Sequence, residues 1–141
     1  MLGDFAERCE TIEECYEFML AYAAQGVPSD EGSHAGGQIR DYLKRAVKAI
    51  SFLAEICEAA VTEERIEPAD RYNAYLAVLD RDAKGSLAAI ELVLEQPSIS
   101  SQLIDNLNAS IHLRALLTDL FLLSEIEKTH RTPGKPMASG A

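Results

Sequence analysis

The sequence predicts an all-α protein, a four-helix antiparallel bundle with a mobile C-terminal tail. Three observations support this fold: a heptad-like apolar row, three more segments with a related apolar period, and no credible strand pattern. The 141 residues fit one domain with a sizeable core, predicted at residues 1–128, and the tail follows at 129–141. The row has spacings of 4, 3, 4, 3, 4 and 3 residues and consists of Ile39, Leu43, Ala46, Ile50, Leu53, Cys57 and Ala60.

The first predicted helix covers about residues 11–25. Thr11 and Glu14 have the spacing of a capping box, in which each side chain bonds the other residue's backbone N–H. A long connection at residues 26–37 follows, with several Gly and Ser. We expect residues 29–37 to be mobile in the free protein and to become ordered on binding.

Three longer helices complete the predicted bundle. The second runs from about residue 38 to 64 along the apolar row, and the third begins at Pro68, where a missing N–H costs nothing. Gly85 lies inside the third helix and is expected to weaken or bend it. The fourth helix covers about residues 100–128, and its second half is apolar on more than one face. Such a helix is central in a core or covered by another subunit, so we predict a homodimer with this helix at or beside the interface.

Composition and charge exclude several classes of partner. The chain has 13 basic and 23 acidic residues, a net charge of −10, which repels nucleic acid and anionic lipid. The longest apolar run, residues 18–24, is too short to span a membrane, and no signal peptide opens the chain. The three cysteines have no metal-ligand spacing and are predicted to be reduced thiols. We therefore predict a cytoplasmic protein without a cofactor, a nucleic-acid partner or a membrane partner.

The connection before the second helix contains one candidate site. His34 and Arg40, together with free backbone amides at the start of the helix, could hold a phosphate or carboxylate. The alternative is a flexible connector. Glu31 and His34 also have the Glu-x-x-His spacing of di-iron bundles, as do Glu127 and His130. Both pairs lie outside the regular helices or at their ends, so no metal site is predicted.

A second candidate site lies on the fourth predicted helix. Steps of three, four and seven residues place Asp105, Asn108, His112 and Asp119 near one helix face. His112 could contact a small ligand or act as a general acid or base. The alternative is an ordinary polar surface with satisfied hydrogen bonds.

Residues 81–86, Arg-Asp-Ala-Lys-Gly-Ser, resemble the histidine phosphotransfer helix, whose pattern is His-x-x-Lys-Gly-Ser. Arg81 occupies the place of the phosphorylated His. Because the reacting group is missing, the resemblance implies no phosphotransfer at this position and leaves open a non-phosphorylated docking relative.

The sequence as a whole favours a non-catalytic function. It contains no Ser/His/Asp order, no Cys/His pair and no phosphate loop. We predict a cytoplasmic helical interaction protein, such as an adaptor, a small chaperone or a regulator, with a protein partner or a second copy of itself. One alternative is a bundle that binds a small ligand or metal on the polar face around His112. The other is an enzyme with an unfamiliar site.

Overall fold

The structure is a computed structural model that describes residues 2–32 and 34–131. This part of the chain consists of α-helices and contains no strand, which confirms the all-α prediction. No helix in it is long and apolar enough to cross a membrane. In chain order the helices are α1 (Leu2–Ala24), α2 (His34–Ile50), α3 (Leu53–Glu63), α4 (Ala69–Leu94), α5 (Ser101–Asn108) and α6 (Ile111–Arg131).

Helix α1 begins nine residues before the predicted start. Thr11 lies inside it, and its hydroxyl donates a hydrogen bond to the Glu7 carbonyl at 3.1 Å. The predicted capping box is therefore wrong. Cys9 and Phe5 are buried one and two turns ahead of Ile12, so the apolar stripe of the helix continues toward the N-terminus.

The second predicted helix is interrupted, and α2 and α3 replace it. Phe52 adopts a left-handed conformation with φ 63°, which ends the hydrogen-bond pattern of α2. Arg8 of α1 compensates for the interruption, because one of its guanidinium nitrogens donates to three carbonyls where α2 ends. These belong to Lys48 at 3.2 Å, Ala49 at 3.0 Å and Ser51 at 2.9 Å.

The last two predicted helices also differ from expectation. Helix α4 runs through Gly85 without interruption, and Pro68 precedes the helix as its N-cap. The predicted helix at residues 100–128 is divided into α5 and α6. The Ser110 hydroxyl accepts a hydrogen bond from the Leu113 N–H at 3.3 Å, which starts α6 separately.

The core lies between α1, α2 and α5 on one side and α3, α4 and α6 on the other. Helix α1 packs on α2 and α5, α4 packs on α3 and α6, and α2 joins the two groups by contacting α4. All seven residues of the apolar row are buried, although they belong to two helices. The chain thus does not form four uninterrupted helices. Residues 129–131 of the predicted tail belong to α6, and 132–141 lie outside the described residues.

Candidate functional site

Arg40 is engaged in a hydrogen-bonded cluster between two connections of the chain. Its Nε donates to Asp30 Oδ2 at 2.8 Å, and its terminal nitrogens donate to the carbonyls of Leu94 at 2.9 Å and Gln96 at 2.8 Å. The other Asp30 oxygen accepts from the Ile99 N–H at 2.7 Å. We call Asp30, Arg40 and these backbone groups the Arg40 cluster. It fixes the α1–α2 connection to the α4–α5 connection.

A second set of bonds strengthens the same junction. The Tyr22 hydroxyl donates to the Ile99 carbonyl, and the Ser101 hydroxyl donates to the Tyr22 carbonyl, both at 2.6 Å. The Ser101 N–H also donates to the Val27 carbonyl at 2.9 Å. The connection after α1 is therefore anchored at Val27 and Asp30, and the expected mobility of residues 29–37 stays a prediction.

Electrostatics at the junction favour the ionised form of Asp30. Burial alone would raise the pKa of this carboxyl group, but the hydrogen bonds from Ile99 and Arg40 outweigh burial and lower it. The guanidinium of Arg40 is thus already paired with an anion inside the protein. The side chain of His34, its predicted companion, lies outside the described residues.

Polar side chains also meet where α4 packs on α6. The Tyr75 hydroxyl donates to Asp119 Oδ1 at 2.7 Å, and Asp119 is 4% exposed. Its second oxygen, Oδ2, is buried and has no hydrogen-bond donor within the described chain. Asp82 lies on the same face of α4 as Tyr75 and places a second carboxyl group beside Asp119. We call these three residues the Asp119 cluster.

The chemistry of the Asp119 cluster is that of a buried acid. Burial and then the neighbouring Asp82 raise the pKa of Asp119 to about 6, against the lowering effect of the Tyr75 hydrogen bond. Burial and the bond to Asp119 raise the pKa of Tyr75 to about 12. Asp119 Oδ2 has almost no accessible surface, so it lies within the α4–α6 contact and not at the surface where a substrate could reach it.

His112 lies at the other end of the α4–α6 contact. A Cβ atom added to Gly85 would come within 2.9 Å of His112 Nδ1, so the imidazole rests over the glycine. The Ser86 hydroxyl donates to the His112 carbonyl at 2.9 Å. Gly85 and Ser86, which carry the likeness to a phosphotransfer helix, are thus used for packing inside this protein, whereas Arg81 is exposed.

The polar face predicted on one helix is divided between two. Asp105 and Asn108 belong to α5, and His112 and Asp119 belong to α6. Asp105 and His112 are exposed, whereas Asn108 is buried with neither side-chain polar atom hydrogen-bonded within the described chain. Within the described chain no hydrogen bond or ion pair joins these residues to one another or to Arg40. Helical periodicity could not reveal the break at 109–110, which assigns them to two helices.

Helix α6 has apolar side chains on two sides. Its inner side is buried against the core. On its outer side Ile111 is 75% exposed, Phe121 55% and Leu122 46%. Exposed apolar groups clustered on one helix side are typical of protein-binding surfaces. The buried inner residues are Leu113, Leu116, Leu117, Leu120 and Leu123.

The cysteines and acidic residues provide no reactive centre in the described part of the chain. Cys9, Cys15 and Cys57 are buried and unpaired, and burial raises their pKa values to about 11, 11 and 12. They are protonated thiols near neutral pH. No group of three or more His, Cys, Asp or Glu residues is arranged to hold a metal ion among the described residues.

Comparison with known proteins adds no relative. No family model matches the chain, and no curated protein or solved structure matches it significantly.

Proposed function

We propose that the protein is a non-catalytic helical interaction protein that binds a protein surface through the outer side of α6. The observation that carries this proposal is the exposure of Phe121 and Leu122 on a helix whose opposite side already fills the core. Burying such side chains against a partner stabilises a complex by roughly 1.5–3 kcal/mol for each one fully buried. The occupant is another protein or a second copy of this chain.

The polar groups support this proposal over the ligand-binding alternative. Arg40 is occupied by Asp30, and Asp119 is enclosed between α4 and α6. His112 is exposed but is separated from Asp105 and Asn108 by the α5–α6 break. A small-molecule site needs several polar groups that converge on one ligand. Within the described chain no hydrogen bond joins Arg40, Asp119 and His112 to one another.

We also propose a cytoplasmic location. Three buried cysteines without a disulfide suit a reducing compartment.

The proposed function is tested by removing the apolar groups from the outer side of α6. Phe121→Gln combined with Leu122→Gln leaves the buried side of the helix intact, so the fold should be retained. Leu92→Gln is the matched control, because Leu92 is 65% exposed on α4. The tagged full-length proteins are cross-linked mildly in their native cells, purified, and the attached chains identified by mass spectrometry.

We expect one defined cross-linked chain with the wild type and Leu92→Gln, and its loss from the double variant. The same chain on all three proteins, or none on any, would contradict the proposal. Circular dichroism of each variant verifies that helical content is unchanged. Metal analysis of the same samples tests the metal-binding alternative directly.

A further inference from the structure

The outer face of α6 carries charges as well as apolar groups. The residues of this face are related along α6 by steps of three, four or seven, so they lie within about a third of the helix circumference. All of them are exposed, and the face is bounded by Arg114 near one end and Glu125 near the other. The outer face consists of Ile111, Arg114, Thr118, Phe121, Leu122 and Glu125.

The two charges lie on either side of the apolar centre of this face. Arg114 and Glu125 are eleven residues apart, about 16 Å along the helix axis. Thr118, Phe121 and Leu122 lie between them. Within the described part of the chain, neither Arg114 nor Glu125 forms an ion pair. Both charges are therefore available to a partner.

We infer that the partner of this face is a second copy of the chain, with the two α6 helices antiparallel across a twofold axis. In this register Arg114 of each copy faces Glu125 of the other, so one arrangement forms two ion pairs. Thr118 lies opposite Phe121 of the other copy, so the apolar centres are adjacent. An isologous contact requires this self-complementarity, since the same surface serves both partners.

The charges also select the direction of pairing. Parallel helices in register would place Arg114 against Arg114 and Glu125 against Glu125, both repulsive. The net charge of −10 on each copy opposes association at a distance, so the contact depends on local complementarity. The antiparallel register supplies it with one cation and one anion from each copy.

This inference rests on the proposed function and adds the identity and register of the partner. Charge reversal tests it with full-length protein by sedimentation over micromolar to submillimolar concentrations. Arg114→Glu and Glu125→Arg each convert two attractive pairs into two repulsive pairs. The double variant exchanges the charges and keeps the net charge. Arg81→Glu, exposed on α4, is the control for a change of net charge alone.

We expect a wild-type dimer, about tenfold weaker dimerisation in each single variant, and recovery in the double variant to within about threefold of wild type. Arg81→Glu should dimerise like the wild type. A wild-type mass of 15.4 kDa at every concentration, single variants as strong as wild type, or a double variant as weak as the singles would each overturn the inference.

The two proposals fail in different ways. Only the second-copy inference is overturned if the wild type is monomeric but cross-links to an identified partner, and the Phe121 and Leu122 substitutions abolish that cross-link. Both proposals are overturned if the wild type forms a dimer whose affinity is unchanged by the charge reversals and by those two substitutions, because its interface must then lie elsewhere.

Discussion

The Arg40 cluster and the Asp119 cluster both shield carboxyl groups from solvent. Only Asp30, in the Arg40 cluster, accepts a hydrogen bond on each of its oxygens. Asp30 receives a guanidinium and a backbone N–H, one on each oxygen. Asp119 receives the Tyr75 hydroxyl on one oxygen, while its other oxygen has no donor within the described chain and lies near Asp82. A buried carboxylate with donors on both oxygens joins chain segments, whereas one lacking a donor favours protonation.

The two carboxyl groups therefore respond to acid in opposite directions. The pKa of Asp30 is lowered, so its contribution to stability is present above the ordinary value and is lost as the pH falls through the folded-state pKa. The pKa of Asp119 is raised to about 6, so the folded protein binds the extra proton. Stability from this group is present in acid and lost as the pH rises through about 6.

Breaking the Arg40 cluster should have the largest effect on stability. Arg40→Ala removes the donor to Asp30 and to two carbonyls, and leaves a carboxylate with 9% side-chain exposure without its cation. We expect the free energy of unfolding to fall by about 2–4 kcal/mol. Chemical denaturation measures this loss. Hydrogen exchange should show faster exchange at the Val27 and Ile99 amides.

Arg45→Ala is the matched control for the Arg40 substitution. Its partner Glu14 has 60% side-chain exposure, and the expected loss is below about 1 kcal/mol. Equal losses for the two arginine variants would mean that the Arg40 cluster does not anchor the junction. Rapid exchange at the amides of residues 29–37 in the wild type would support the expected mobility of that segment.

Removing the buried charge from the Asp119 cluster should have the next largest effect on stability. Asp119→Asn keeps an acceptor for Tyr75 and gives Asp82 a donor, while it removes the buried charge. We expect the variant to be more stable than the wild type by about 1–3 kcal/mol at pH 8, with the difference vanishing toward pH 4. Thermal denaturation across this pH range measures the difference.

Asp105→Asn provides the control, because Asp105 is exposed on α5. Its stability should follow the wild type at every pH. If the stability of Asp119→Asn changed with pH in the same way as that of the wild type, the raised pKa of Asp119 would not contribute to the pH dependence of stability.

Periodicity predicted the core well, because burial repeats along a helix. Ile39, Leu43 and Leu53 are at most 1% exposed, as the apolar row indicated. The interruption between α2 and α3 could not be predicted in the same way. The Arg8 guanidinium that donates to the carbonyls there lies about forty residues away in sequence, and only the folded structure brings it close.

The candidate site was harder to predict than the core. A helical wheel placed Asp119 with His112, but it could not show that α4 covers Asp119 and supplies Tyr75 and Asp82. The spacing of seven residues between Tyr75 and Asp82 was the available signal, since it puts both on one face of α4. The exposed outer side of α6 agrees with the expectation that its apolar pattern exceeds one buried face.

The smallest predicted effect concerns the His112 end of the α4–α6 contact, and it tests whether that end is packed as firmly as the Arg40 junction. Gly85→Ala should gain about 1 kcal/mol from helix propensity, but its Cβ would come within 2.9 Å of His112 Nδ1. We expect little net change in the wild type and a gain of about 0.5–1 kcal/mol in a His112→Ala background. A double-mutant cycle by chemical denaturation measures this coupling. Equal gains in both backgrounds would show that the exposed imidazole moves aside freely, so that the α4–α6 contact is held by its buried residues and not by His112.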